Sequence, residues 1–139
     1  MIAVIRISGM VKVPKAVQET LHRIYLRRKY ATTLLNPSQE ISKLLKKIRN
    51  YVAYGDIDKK TLLELIKKRG QPVEKEKKVD AEKIVEQLDK KSLKSLGLKP
   101  FFRLHPPRKG IESKKHFGVG KGVLGDNKEK INELIKRML

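Results

Sequence analysis

The segment richest in residues that could do chemistry spans 103–126, RLHPPRKGIESKKHFGVGKGVLGD. Gly120, Gly122 and Gly125 match the spacing GxGxxG, which in dinucleotide-binding folds lets the backbone approach a pyrophosphate. No convincing strand leads into these glycines, and the fourteen residues after Gly125 leave no room for a second strand with a ribose-binding acid. Lys121 precedes a glycine rather than a serine or threonine, so the lysine-bearing phosphate loop is excluded too. We therefore predict no nucleotide cofactor.

His105 and His116 in the same segment could ligate a metal or transfer protons. The chain has only three histidines and no cysteine, and no paired carboxylates lie near either residue, so the sequence does not favour a metal site. We expect both imidazoles to hydrogen-bond a phosphate or stack on a base. The third histidine, His22, is expected on a helix surface. No catalytic constellation is recognisable, and we predict that the protein is not an enzyme.

Phosphate contact is the chemistry that this segment favours. Glycine has no side chain, so backbone N–H groups can come close to phosphate oxygens, and Lys114, Lys115 and Lys121 add positive charge. A mobile, solvated loop is the alternative. Because prolines, glycines and cations coincide here in a strongly basic chain, we favour contact with a phosphate backbone.

The charge balance indicates the class of partner. The 139 residues include 34 lysines and arginines against 15 acidic residues, a formal net charge of +19. These positive charges repel one another in a compact state unless a polyanion neutralises them. The excess therefore points to nucleic acid ahead of an anionic membrane or an acidic protein. The absence of cysteine excludes disulfides and thiolate chemistry. We expect no signal peptide or membrane span and a cytoplasmic location.

The first sixty residues predict a compact core. IAVIRIS reads as a buried strand, and Val17, Leu21, Ile24 and Tyr25 share one face of a helix that begins at Pro14. YATTLLN reads as a second strand, and a second amphipathic helix, capped by Asn36, leads into a third strand, YVAYG. We predict an α+β fold of strand, helix, strand, helix and strand, with a small three-stranded antiparallel sheet and its helices on one face.

The remaining residues are predicted to form a mainly helical extension with one further strand. A helix from Asp58 to Arg69 precedes a charged linker at 71–79 and a short helix after Asp80. FFRLH reads as the further strand, 103–125 as a basic Gly/Pro arm, and the chain closes with an amphipathic helix capped by an acidic pair. We place the boundary between core (1–57) and extension (58–139) after the third strand.

A second basic cluster, Arg27 to Lys29, lies between the first helix and the second strand. Cations also favour a helix C-terminus through the macrodipole, but three together exceed what that effect requires, so we favour a binding role. Lysines 43, 46 and 47 on the second helix read equally well as a solvated face.

Several segments of this sequence resemble a known protein family. IAVIRISG and TLHRIYLRRKYATTLLNPSQEISKLLKKIRNYVAYGDI resemble the large-subunit ribosomal protein L-thirty family, whose eukaryotic relative is called L-seven. The tail FFRLHPPRKGIESKKHFGVGKGVLGDNKEKINELIKRML is similar to the extension of its archaeal and eukaryotic forms, and the chain lacks the long basic N-terminal arm of eukaryotic members, so it resembles the archaeal form.

The resemblance implies a ferredoxin-like α+β core without enzymatic activity or cofactor, a monomer in the large ribosomal subunit, bound to 23S ribosomal RNA and near 5S RNA, beside neighbouring proteins. It places Lys12, Lys15, Arg27 and Arg28 in the family's basic first loop and helix end. Residues from both lines of argument form the predicted RNA-binding set: Lys12, Lys15, Arg23, Arg27, Arg28, Lys29, Lys46, Arg103, His105, Arg108, Lys109, Lys114, Lys115, His116, Gly118, Gly120 and Lys121.

The sequence thus predicts a structural RNA-binding constituent of the ribosome that recognises phosphates and RNA shape more than base sequence. A free-standing regulatory RNA- or DNA-binding protein remains the alternative. It would need a recognition helix with base-reading side chains at its exposed start, for which the second helix offers Gln39 among many lysines. An enzyme on phosphorylated substrates is a third hypothesis, for which no acidic catalyst can be named.

Overall fold

A computed structural model describes residues 1–9, 13–70, 81–87, 99, 101–108, 110–118 and 122–139, with the side chains of 81 and 112–115 left out. Within these residues the elements are β1 (Ile2–Arg6), α1 (Lys15–Arg23), β2 (Ala31–Leu35), α2 (Gln39–Ile48), β3 (Val52–Asp56), α3 (Lys59–Arg69), α4 (Ala81–Gln87), β4 (Phe102–Arg103), β5 (Glu112–His116), β6 (Gly122–Asp126), a 3₁₀ turn (Lys128–Lys130) and α5 (Ile131–Met138).

β1 is central to the sheet and confirms the predicted three-stranded antiparallel unit. It pairs antiparallel with β2 on one side and β3 on the other, so that Val4 lies opposite both Thr33 and Tyr54. β4 extends the sheet antiparallel to β2, and β6 extends it parallel to β3. In the described residues the strand order is β4-β2-β1-β3-β6-β5. The α+β fold class is therefore as predicted.

Alternate residues of β1 enter two separate cores, as the two-residue period of a strand requires. Val4 joins the cluster beneath α1 and α2, together with Leu21 and Ile48. Ala3 and Ile5 join the cluster on the opposite face. The first core is the layer predicted from the helical spacing of the first sixty residues.

The opposite face of the sheet is covered by the C-terminal half of the chain. Leu65 and Ile66 of α3 and Ile131 and Ile135 of α5 are fully buried in that second core. Gly55 of β3 permits the close approach of the last segment, because a Cβ there would lie 2.3 Å from the carbonyl oxygen of Lys128. The helices of the extension thus complete the fold by burying a face that the first sixty residues leave open.

The extension contains the strand predicted at FFRLH, which is β4, and further strands that were not predicted. Three strands follow α4 in the described residues, and β5 and all but the last residue of β6 lie inside the segment 103–125 that was predicted to be a basic arm. Its glycines do not all serve an exposed loop: Gly122 and Gly125 lie in β6, where Val123 and Leu124 are buried. Pairing with β3 overrides the weak strand propensity of this glycine-rich sequence.

Several helix boundaries also differ from the sequence prediction. α2 is capped by Ser38, whose hydroxyl accepts a hydrogen bond from the Ile41 amide at 3.2 Å, rather than by Asn36. α3 begins at Lys59 rather than at Asp58, which caps the helix by accepting from the Thr61 amide at 2.7 Å. α1 ends at Arg23, two residues before Tyr25, which was assigned to its apolar face. That early ending shapes the candidate site.

Candidate nucleic-acid interface

The loop that carries the basic cluster begins where α1 ends in a Schellman motif. The amide of Leu26 donates to the Leu21 carbonyl at 2.8 Å, and the amide of Tyr25 donates to the His22 carbonyl at 3.1 Å. Tyr25 has φ +66°, the left-handed conformation that this motif needs. Buried Leu21 and Leu26 hold the turn from inside, while Tyr25 is 37% exposed.

Arg6, fully buried at the end of β1, anchors the same loop from below. Its guanidinium donates to the Leu26 carbonyl at 2.8 Å, to the Ser8 carbonyl at 3.0 Å and to the Gly9 carbonyl at 3.3 Å. Its own carbonyl accepts from the Tyr30 amide at 2.7 Å. Burial lowers the pKa of Arg6 below its ordinary value. The arginine fixes both ends of the basic loop to the sheet.

β4 brings a second cationic segment to this loop from a distant part of the sequence. Arg103 lies directly opposite Ala31 in the antiparallel pairing of β4 with β2, and the Leu104 amide donates to the Tyr30 carbonyl at 3.2 Å. β4 is an edge strand, so Arg103 is exposed beside the end of the loop.

These two segments line one depression, which we call the basic aromatic groove. Its volume is about 580 Å³, and its lining residues are Tyr25, Arg27, Arg28, Lys29, Ala31, Phe101, Arg103 and Leu104. Arg27, Arg28, Lys29 and Arg103 are exposed. The Lys29 Nζ lies 5.1 Å from the centre of the Tyr30 ring, and the Arg103 guanidinium lies 5.7 Å from the centre of the Phe101 ring.

The chemistry of the basic aromatic groove suits a nucleic acid. Four of its lining residues are cations and none is acidic. One guanidinium group can bind two phosphate oxygens at once, and a lysine adds a mobile point charge. Aromatic rings offer faces on which a base can stack. The combination of four cations with two rings distinguishes this groove from an ordinary solvated basic face.

The other predicted residues whose side chains are described are exposed but lie elsewhere. Lys15 and Arg23 stand at the two ends of α1. His105 and Arg108 follow β4, where their amides donate to the carbonyls of Met138 at 2.9 Å and Arg137 at 3.0 Å. These bonds tie the proline-containing segment to the end of α5.

His116 ends β5 at the far edge of the sheet from β4, and Gly118 follows it with φ +94°. A Cβ at Gly118 would meet nothing within 4 Å, so this backbone lies open. The roles of His116 and Gly118 stay predictions.

Lys46 belongs to a different environment from the groove. It lines a separate depression together with Asp56 and Asp126. Burial raises the pKa of the neighbouring Tyr54 phenol, and the negative charge of Asp126 raises it further, against an opposing effect of Arg49. The structure thus does not bring Lys46 together with the basic loop. The carboxylates at its own depression also disfavour a phosphate.

Six predicted residues cannot be placed by side chain. Lys12, Lys109, Gly120 and Lys121 lie outside the described residues, as does the predicted linker at 71–79. Lys114 and Lys115 belong to β5, and their side chains are not described either. Their assignment to RNA binding stays a prediction.

The described part of the chain shows no group of three or more histidine, aspartate or glutamate residues arranged to hold a metal ion. Among its helices, none has both the length and the apolar character needed to cross a membrane.

Three residues of this region were missed by the sequence analysis. Tyr25 was assigned to the apolar face of α1, Phe101 to a strand, and Arg6 only to the predicted first strand. Aromatic residues placed next to basic ones were the available signal for Tyr25 and Phe101. Arg6 carried none, because its shortest hydrogen bond goes to the Leu26 carbonyl, which only the fold brings close.

Comparison with known proteins finds relatives along nearly the whole chain. A sequence profile of the family Ribosomal protein L30p/L7e matches residues 2–52. The chain is 39% identical to the large ribosomal subunit protein uL30 of Nanoarchaeum equitans, across 99% of this chain and 97% of that protein. It is 38% identical to uL30 of Aeropyrum pernix (99% and 98%) and 36% identical to uL30 of Pyrobaculum islandicum (99% and 93%).

Similarity along nearly the whole chain identifies a ribosomal protein. The chain belongs to the L30p/L7e family. This family is structural and non-enzymatic, which confirms the prediction that the protein is not an enzyme. Relatives named as large ribosomal subunit proteins also support the predicted location in cytoplasmic ribosomes.

Proposed function

We propose that the protein is a structural constituent of the large ribosomal subunit that binds ribosomal RNA through the basic aromatic groove. The observation that carries the proposal is the meeting of Arg27, Arg28 and Lys29 with Arg103 along the β2–β4 pairing. The partner is the 23S RNA, with 5S RNA and neighbouring proteins close by. The family assignment, in which relatives are named as large-subunit proteins, supports this over a free-standing regulator.

The groove recognises phosphates through charge. Lys and Arg that neutralise phosphates release counterions, so affinity falls as salt rises. The net charge of +19 adds long-range attraction that steers the protein to RNA. Gln39 at the start of α2 is exposed but lies outside the groove, so the recognition helix that a duplex-DNA regulator requires finds no support.

Binding of 23S and 5S RNA, measured separately by filter retention over a salt series, tests the proposal. Replacing both Arg27→Gln and Arg28→Gln should weaken 23S binding about tenfold and reduce the salt slope by roughly one for each lost contact. Lys67→Gln with Lys68→Gln is the matched control, because these exposed residues in the last turn of α3 change the net charge equally.

The two double variants give opposite results if the proposal holds. The α3 pair should keep nearly the wild-type affinity and slope, since it lies outside the groove. Equal weakening by both pairs would show that only net charge matters and would contradict the assigned surface. Absence of binding to both RNAs at low salt would contradict RNA binding itself.

A further inference from the structure

Half of the lining of the basic aromatic groove is apolar. Tyr25, Ala31, Phe101 and Leu104 line it together with the four cations. A surface that bound only the phosphate backbone would need cations and hydrogen-bond donors but no apolar wall. The apolar half therefore calls for a ligand that has both a charged and an aromatic part.

The size of the groove restricts that ligand further. Its volume of about 580 Å³ lies in the range typical of sites for single small molecules. A nucleobase with its ribose fits such a space, whereas the bases of an A-form helix are stacked and inaccessible from its deep groove. Only a nucleotide that has left the stack can present a base face to these rings.

The backbone holds the ring of Tyr25 in place. Tyr25 keeps a left-handed conformation that a tyrosine rarely adopts, within a turn closed by two hydrogen bonds and anchored by Arg6. Backbone conformations of this kind persist where the surrounding structure enforces them and are frequent at ligand sites. Across the groove, Phe101 leads into the β4 pairing, with Arg103 beside its ring.

We infer that the basic aromatic groove takes up one unpaired nucleotide of the RNA, with its base against Tyr25 and Phe101 and its phosphates on Arg27, Arg28 and Arg103. This inference rests on the proposed function and adds a base-stacking contact to phosphate recognition. The ligand class is a bulged or looped-out nucleotide. Stacking tolerates any base, so the site selects an unpaired state of the RNA more than a sequence.

A pair of RNA hairpins isolates the contribution of the base. Both carry a single-nucleotide bulge at the same position and have the same number of phosphates. The bulged nucleotide holds the fluorescent base 2-aminopurine in one hairpin and is abasic in the other. Stacking of one base should make the first hairpin bind about tenfold more tightly. The fluorescence of 2-aminopurine should fall on binding, because a base stacked on an aromatic ring is quenched.

Protein variants assign the effect to the two rings. Tyr25→Leu combined with Phe101→Leu keeps apolar side chains and removes both rings, so it should abolish the preference and the quenching while retaining the affinity for the abasic hairpin. Tyr25→Phe keeps the ring and should behave as the wild type. Circular dichroism on each variant confirms that the fold is retained.

Ultraviolet crosslinking of the wild type to intact 23S RNA provides a second measurement. Peptides that contain Tyr25 or Phe101 should carry a nucleotide that chemical probing of the free RNA shows to be unpaired. Equal affinity for the two hairpins, without quenching and without crosslinks at either ring, would overturn the inference and leave ribosomal RNA binding intact. Failure to bind any of these RNAs would overturn the proposed function and the inference together.

Discussion

Tyr25 occupies a backbone position that glycine favours at the end of a helix. Its φ of +66° places its Cβ close to the following carbonyl, which costs about 1–2 kcal/mol for a residue with a side chain. The Schellman hydrogen bonds and the buried pair Leu21 and Leu26 hold it there. The protein thus retains an aromatic side chain at the rim of its cationic groove at the expense of local stability.

Two substitutions at Tyr25 separate the role of the backbone from that of the ring. Tyr25→Gly and Tyr25→Ala both remove the ring, but only glycine is at ease in the left-handed region, so Tyr25→Gly should be more stable by about 1 kcal/mol. Urea unfolding measures the difference, and both variants should lose the same RNA affinity. Equal stability of the two variants would contradict the strained turn.

Sequence patterns at the residue scale predicted the cations of the site better than its scaffold. Arg27, Arg28 and Lys29 are conspicuous as a run, and no core position could accept them. Arg6 could not be interpreted from the sequence, because its shortest hydrogen bond goes to the carbonyl of Leu26, which is distant in sequence. Arg103 was predicted as a binding residue, but its meeting with the basic loop depends on the pairing of β4 with β2.

At the scale of elements, Asn132 fastens α5 to the sheet and to α3. Its side-chain oxygen accepts from the Asp58 amide at 2.9 Å, and its side-chain nitrogen donates to the carbonyls of Asp56 at 3.2 Å and Glu129 at 2.8 Å. The hydrogen bonds of this one side chain therefore link the end of β3, the start of α3 and the 3₁₀ turn that precedes α5. This linkage joins residues that the sequence separates widely.

Removing this amide should loosen the extension. Asn132→Ala leaves partly buried backbone groups without their partner, and we expect a loss of about 2–3 kcal/mol of unfolding free energy. Asn50→Ala, at an exposed position after α2, is the matched control and should change stability by less than about 0.5 kcal/mol. Chemical denaturation measures both; similar small effects would contradict the linkage.

The cap of α3 predicts a dependence on pH. The hydrogen bond from the backbone amide of Thr61 lowers the pKa of Asp58 below its ordinary 3.8 against the opposing effect of partial burial, and the charges of Lys136 and Lys60 lower it further. A lowered carboxyl pKa stabilises the folded state fully above the unfolded value near 3.8, and this contribution disappears as pH falls through the lower folded value.

Asp58→Ala should therefore lose about 1 kcal/mol at pH 7, and the difference from the wild type should shrink below pH 3.8. The carboxylate is exposed, so solvent screening keeps the effect at this modest size. Asp58→Asn, which caps without titrating, should lack the acid dependence. Thermal unfolding across this pH range measures all three proteins, and a constant difference between wild type and Asp58→Ala would contradict the assignment.

Periodicity explains which elements the sequence could predict. α2 and α3 have regular apolar spacing, and both were located to within a few residues. β5 and β6 were missed because Glu112–His116 alternates no apolar residues and Gly122–Asp126 contains two glycines. β6 pairs with β3 of the first half of the chain and β5 pairs with β6, and local patterns do not reveal this pairing.

At the scale of the whole molecule, one sheet joins the two halves of the sequence. The first half supplies β1, β2 and β3, and the second half adds β4 at one side and β6 at the other. The net charge of +19 predicted a polyanionic partner, but composition alone could not say which cations share a surface. The pairing of β4 with β2 decides this, because it creates the basic aromatic groove.

The central claim is that the basic loop and β4 form one RNA-binding surface, and directed hydroxyl-radical cleavage tests it most directly. The chain contains no cysteine, so Lys29→Cys, Arg103→Cys and the control Lys68→Cys each place one tethered iron chelate on the protein. In complexes with 23S RNA, chelates at positions 29 and 103 should cut overlapping nucleotides, and the control should cut weakly or elsewhere. Cleavage of unrelated nucleotides from positions 29 and 103, or strongest cleavage from position 68, would contradict the account.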